Sequence, residues 1–364
     1  MIQYYDPEQK TWLNMATNED MPVIGILTGS KKDNKITGNG RLFRELQKEI
    51  SKNGGLSVVF TPQKIKDQSI DGYMYEPNKD KWYTAICSFP HVIYNRVPFQ
   101  KLEKSKPYQE ALQLFKNKQI PFFNYGFLNK YELFQIFSRD TFFQPLFPKT
   151  ITIHAKPSLH TFLEKHGQLY LKPANGSKGK GIYLLHLNND GSIRLEGQKE
   201  ERIYHDFHSF WIKRSHILLK KSYIAQEAIL PFLYNGKRFD FRILVHFQNN
   251  HYEVIGIGIR QAKEQDITTH IPNGGVIIPY EEVQTLEHDQ FISEVANKAG
   301  RLLSKEIGFF GEFSIDAGIS EDGRYIIYEI NSKPMKFDEK EIEEKRIQSL
   351  VRLFFELAGL NKKV

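Results

Sequence analysis

The sequence predicts a mixed α/β (α+β) chain, with a small parallel-sheet domain followed by a two-part unit whose strands carry the charged chemistry. Three observations support this. Residues 22–28, 41–50 and 56–60 read as strand, helix and strand, a unit that joins parallel strands by a right-handed crossover. A glycine-rich stretch at 176–181 lies between two further strand patterns. The strongest strands, 223–229, 239–247 and 252–259, gather in the last third and lead to an acidic hairpin at 313–330.

In chain order, the first strand ends at Gly29-Ser30, and the helix at 41–50 is closed by Gly54-Gly55. Strands are expected at 91–94 and 120–124 with a helix at 107–117 between them, so residues 1–125 form the first domain. Asn129 reads as the N-cap of a helix at 130–137, with Glu132 three residues on. A strand at 149–153, a short helix at 158–165, and strands at 169–172 and 181–186 place a second unit at 126–220. The third, 221–364, adds a helix at 289–306 with one apolar stripe, the hairpin turn Asp322-Gly323, and a last helix at 338–358.

Composition narrows the function. Apolar residues make up 40% and charged residues 26% of 364, an ordinary globular balance rather than that of a disordered chain. Cys87 stands alone, so no intramolecular disulfide forms and a reducing, cytoplasmic setting is expected. No run approaches the length of a membrane span, and the first ten residues lack a leader pattern. A net charge of +7 suits an anionic ligand, but no basic run marks a nucleic-acid stripe. His205, His208 and His216 have no companion ligands at zinc spacing.

Four constellations carry chemistry. In the first, Gly176, Gly179 and Gly181 alternate with Lys178 and Lys180 after Lys172, a loop that brings backbone N–H groups and countercharge to a phosphate. It matches neither a Walker A loop nor a dinucleotide fingerprint, and a flexible hairpin tip with solvated lysines would read the same way. In the second, Glu329 and Asn331 share a strand face, and an antiparallel partner sets Asp316 beside them, three oxygen donors of the kind Mg²⁺ prefers. The other reading is a polar strand end. In the third, Arg238, Asp240 and Arg242 alternate with Phe239 and Phe241, either an anion-gripping strand or a surface charge ladder. The fourth is Lys130, a cation in the first turn of a helix, where the macrodipole disfavours it unless an anion is near.

A lysine strand with a glycine loop, a strand ending in Gln226-Glu227, an Asp-x-Arg strand and an acidic hairpin closing in Glu-Ile-Asn occur in that order. This resembles the ATP-grasp superfamily over residues 126–358, with the first domain similar to the small domain that precedes the grasp. Tyr94-Asn-Arg96, LKPANGSKGKGIYLL, FDFRILVHF and GEFSIDAGISEDGRYIIYEINSKP resemble more narrowly the YheC/YheD type, described as endospore coat-associated proteins.

The resemblance implies ATP and Mg²⁺ as cofactors. Lys172 would meet the α/β-phosphates and Lys130 would be the second phosphate lysine, with Gly176, Ser177, Lys178, Gly179, Lys180 and Gly181 folding over them. Gln226 and Glu227, with the backbone of Ala228 and Ile229, would edge the adenine. Arg242 would face the γ-phosphate, and Asp316, Glu329 and Asn331 would hold the metal. Asn273, Gly274 and Gly275 would line the acceptor side, although residues 268–272 depart from the usual ligase pattern. Arg96 ends a strand of the first domain and could hold a substrate carboxylate or be a plain surface arginine.

The implied reaction is ATP-dependent joining of a carboxylate to an amine or thiol through an acylphosphate. The substrate pair stays open, and coat proteins are the implied partners. A nucleotide-binding structural component of the coat is the other reading; against it, Lys172, Arg242, Glu329 and Asn331 are all present.

Overall fold

The computed structural model describes residues 2–15, 21–30, 36–174, 181–197, 200–262 and 275–359. The hairpin β1 (Ile2–Asp6) and β2 (Thr11–Asn14) precedes β3 (Val23–Leu27), a strand buried at every position. A short ribbon, β4 (Gly29–Ser30) and β5 (Ile36–Thr37), leads into α1 (Gly40–Lys52). The Asn39 side chain caps α1 at the Leu42 N–H, and the helix buries Leu42, Phe43, Leu46 and Ile50 along one stripe. β6 (Leu56–Phe60) returns parallel to β3. The hairpin β7 (Ile70–Glu76) and β8 (Lys81–Cys87) follows, then β9 (Val92–Asn95), α2 (Gln100–Glu103), α3 (Lys106–Asn117) and β10 (Phe122–Phe123). The sheet order is β10-β9-β3-β6-β7-β8-β1-β2. Its first four strands are parallel, as the crossover pattern requires. The antiparallel half comes from two hairpins absent from the sequence reading.

The next unit opens with α4 (Lys130–Phe137), capped by the Asn129 side chain at the Tyr131 and Glu132 N–H groups. It continues through β11 (Thr150–Thr152), α5 (Lys156–His166), β12 (Gln168–Pro173), β13 (Tyr183–Leu187), β14 (Ile193–Gly197), β15 (Glu201–Tyr204), α6 (Phe207–Lys220) and β16 (Tyr223–Glu227). The six strands form an antiparallel sheet in the order β11-β16-β12-β13-β14-β15. α5 and α6 bury Leu159, Leu163, Phe207 and Phe210 in one core with Leu169, Leu171, Leu185 and Leu195.

The last unit holds β17 (Leu233–Tyr234), β18 (Lys237–Gln248), β19 (His251–Gln261), β20 (Val276–Ile278), α7 (Leu286–Glu306), β21 (Glu312–Ile319), β22 (Tyr325–Asn331) and α8 (Lys340–Leu357). Its sheet runs β20-β19-β18-β21-β22. α7 buries Ile292, Val295, Ala296, Ala299 and Leu303 against this sheet. Gly300 lets the Tyr252 ring lie on the helix, since a Cβ there would sit 2.2 Å from the ring. α8 packs towards the first sheet: Leu350, Val351, Leu353 and Phe354 share a core with Ile24, Ile26, Phe43, Leu46 and Tyr94. Among the described residues no helix is long and apolar enough to cross a membrane.

Candidate active site

One rung of the last sheet brings the charged residues into line. Arg242 in β18 is paired with Gly258 in β19 on one side and with Asp316 in β21 on the other, and Asp316 is paired with Glu329 in β22. Adjacent strands lie about 4.8 Å apart, so the four positions form a short row. The register slips by one residue just beyond Asp316, a bulge of the kind that re-aims side chains beside a site. Asn331 lies two residues past Glu329, opposite Ser314.

Both carboxylates of the row face protein cations. Lys130, the first residue of α4, donates to Glu329 Oε1. This contact gives the helix-start lysine its anion. Asp316 Oδ1 lies 3.3 Å from Arg260 Nη2. The pair is off hydrogen-bonding geometry: Asp316 Oδ1 and Arg260 Nε are both buried without a hydrogen-bond partner among the described residues. Arg260, at the end of β19, was not anticipated from the sequence. The signal available was an arginine closing the alternating run Ile255-Gly-Ile-Gly-Ile259.

Two carboxylates paired on one rung, one with an orphaned oxygen, plus the amide of Asn331 make an oxygen donor set. It fits a hard divalent cation that takes its remaining ligands from phosphate and water. Among the described residues no group of three or more His, Cys, Asp or Glu side chains could hold a metal.

Lys172 projects from β12 on the same face as Gln226, whose Oε1 accepts its ammonium at 2.6 Å. The ammonium lies 5.1 Å from the centre of the Tyr170 ring. Burial, and then the nearby Lys130 charge, lower its pKa to about 7. The Lys130 N–H donates to the Ala174 carbonyl at 3.3 Å, which ties the start of α4 to the end of β12. Arg238 bridges the two sheets, donating to Tyr170 Oη and to Asp240 Oδ1, both at 3.4 Å. Arg242 donates to the carbonyls of Met335 at 3.0 Å and Lys336 at 3.4 Å and lies over the Phe337 ring. Burial lowers its pKa.

Two expectations are corrected. Arg96 is not at a substrate surface. It is buried, donating to Glu312 at 3.3 Å and to the Pro334 carbonyl at 2.9 Å. It belongs to a network in which Arg346 and Tyr94 also donate to Glu312. Burial opposes the charge on Glu312, but Arg346 and the neighbouring His246, whose Nε2 lies 3.4 Å from Oε1, hold its carboxyl well below the usual range. The Glu227 side chain turns into its own unit, accepting the Lys149 N–H at 2.9 Å and lying 3.1 Å from His166 Nδ1. The Ala228 N–H donates to the Gln168 carbonyl. Of this strand end, Gln226 reaches Lys172, and Ile229 follows directly.

Gly181 ends the glycine loop at φ +73, where a Cβ would meet Tyr223 Oη at 2.8 Å. Gly176, Ser177, Lys178, Gly179, Lys180, Asn273 and Gly274 lie outside the described residues. Gly275 immediately precedes β20, which pairs with β19 at Arg260.

The family model described as YheC/D like ATP-grasp matches residues 119–359. The chain belongs to this ATP-grasp family. Endospore coat-associated protein YheD of Bacillus subtilis (strain 168) is 28% identical over 333 residues, covering 86% of this chain and 72% of YheD. Endospore coat-associated protein YheC of the same organism is 24% identical over 312 residues, covering 80% of this chain and 84% of YheC. Among solved structures, the ATP-grasp ligase PsnB, complexed with a phosphomimetic variant of its minimal precursor, Mg and ADP, is similar with a TM-score of 0.54. That alignment has 13% identity and covers 94% of this chain and all of PsnB, so it shows the shared fold. The ATP-grasp fold is the one the sequence motifs implied.

Proposed function

We propose that this YheC/D-like chain is an ATP- and Mg²⁺-dependent ligase that joins a carboxylate to an amine or thiol, in association with the endospore coat. One observation carries the reading. Lys130, Lys172, Arg242 and Arg260 converge on a row that also holds the carboxylates of Asp316 and Glu329. This is the arrangement needed to bring an anionic substrate up to a polyphosphate. The coat association rests on the names of the relatives YheD and YheC.

In this reading Lys172 and Lys130 take the phosphates. Gln226 and the Glu227–Ile229 backbone edge the base. Asp316, Glu329 and Asn331 hold Mg²⁺, which neutralises charge on the phosphates. Lys130 and Arg260 then turn from the two carboxylates to anionic oxygens of nucleotide and substrate. Arg242 and Arg260 align the substrate carboxylate, whose oxygen attacks the γ-phosphorus while ADP leaves with the bridging electron pair. The amine or thiol then attacks the carbonyl of the acylphosphate, and phosphate departs with the carbonyl–oxygen bond's electron pair and takes up the nucleophile's proton. No protein nucleophile takes part, so catalysis is neutralisation and alignment.

The test is calorimetric titration of wild type, Lys172→Ala and Glu329→Ala with Mg²⁺ and a non-hydrolysable ATP analogue, followed by a screen of carboxylates and amines for ADP release. Binding in wild type that weakens in both variants supports the reading. A folded wild type that binds no nucleotide refutes it and favours a structural coat protein.

A further inference from the structure

The segment that follows Asn331 is gripped residue by residue. Asn124 Nδ2 donates to the Ser332 carbonyl at 2.7 Å. Arg96 and Arg346 donate to the Pro334 carbonyl at 2.9 and 3.1 Å, and Arg242 takes the next two carbonyls. Between them, Lys333 turns into the first domain. Its ammonium donates to the Val97 carbonyl at 2.9 Å and to Glu103 Oε1, over the Phe127 ring. Both members of the pair are buried, at 4% and 9% side-chain exposure.

Glu103 is engaged on every side. Its Oε1 also accepts Asn95 Nδ2 at 3.2 Å, and its Oε2 accepts the Phe127 N–H at 2.9 Å. Gly126 lies so close that a Cβ there would sit 3.1 Å from the carboxylate. Phe127 is three residues before Lys130, and Lys333 is two residues after Asn331. One carboxylate of the first domain therefore holds both the segment leading into α4 and the segment leaving β22. These two segments carry Lys130 and its partner Glu329.

We infer that Glu103 is a positioning residue for the metal-binding hairpin. Through Lys333 it fixes Asn331 relative to the Lys130–Glu329 contact, so the first domain sets divalent-cation affinity without touching the cation. The inference rests on the metal reading proposed above. A fully buried ion pair adds little stability over an apolar pair of the same shape. What this one supplies is direction: two carboxylate oxygens and an ammonium that accept only one relative placement of the two segments. Outer partners of this kind typically change metal affinity about 10–100-fold when removed.

The experiment measures Mg²⁺ half-saturation by calorimetry on the full chain, with the non-hydrolysable ATP analogue at saturation. It compares wild type, Glu103→Gln, Lys333→Met, the double variant and Lys333→Arg. The double variant leaves no buried charge unpaired, which keeps it folded even where the single variants are not. Expected is a rise of about 10–100-fold in Mg²⁺ half-saturation for the folded single and double variants. Metal-free nucleotide affinity is expected to be unchanged and Lys333→Arg close to wild type. Unaltered Mg²⁺ half-saturation in folded variants overturns the inference. So does an equal loss of nucleotide binding with and without Mg²⁺, which marks a purely structural role. Wild type whose nucleotide binding ignores Mg²⁺ refutes the metal reading itself, and is seen before any variant is compared.

Discussion

Nucleotide binding should draw a proton onto Lys172. In the free protein, burial and the Lys130 charge hold its pKa at about 7. At pH 8 only about 0.1 of the ammonium is then charged. Phosphate oxygens within contact distance favour the charged form and return the group towards its ordinary value of about 10.4. Binding at pH 8 therefore takes up about 0.9 proton per nucleotide, falling to about 0.1 at pH 6 where the lysine is already charged. Uptake on binding means that affinity weakens as pH rises above 7. Calorimetry in buffers of different ionisation enthalpy reads the proton number as the slope of observed heat against buffer enthalpy. Lys172→Arg, which stays charged at every pH tested, should flatten that slope. A slope near zero for wild type at pH 8, or the same slope in Lys172→Arg, would refute the argument.

Three further outcomes are expected. Glu329→Gln should lower nucleotide-dependent turnover by about 10²–10³ with the fold retained, read as ADP release beside circular dichroism. Glu312→Gln removes the buried charge shared by Arg346 and Arg96, leaving Arg346 only its Glu343 contact, and should cost about 3–5 kcal/mol in urea denaturation. Gly300→Ala forces a methyl into the Tyr252 ring and should cost about 1–3 kcal/mol, measured by thermal unfolding.

What could be read from the sequence depended on how far each signal reaches along the chain. The β3–α1–β6 crossover was legible because a fully buried strand and a helix stripe are local patterns. The Glu329/Asn331 spacing was legible for the same reason: two residues apart on a strand share a face. The β7–β8 hairpin was not, because its alternation is built from Tyr, Trp and Thr with one face half open. α6 escaped because its histidines, lysines and aromatics blur the apolar stripe. Arg96 read as a substrate-carboxylate holder or a plain surface arginine because its partner Glu312 is 216 residues away. Arg260 meets Asp316 across β18, and no spacing within a single strand announces such a neighbour.

The placement of α8 has a consequence for synthesis. The face formed by Ile24, Ile26, Phe43, Leu46 and Tyr94 is closed by a helix that begins only at residue 340. A ribosome adding about 5–20 residues per second needs roughly ten seconds or more to bridge that gap. During that interval the nascent first sheet carries an open apolar surface that neighbouring chains can reach. A fragment ending near residue 125 keeps that surface permanently and should aggregate. The sheet that leaves the ribosome first is therefore the last to be completed.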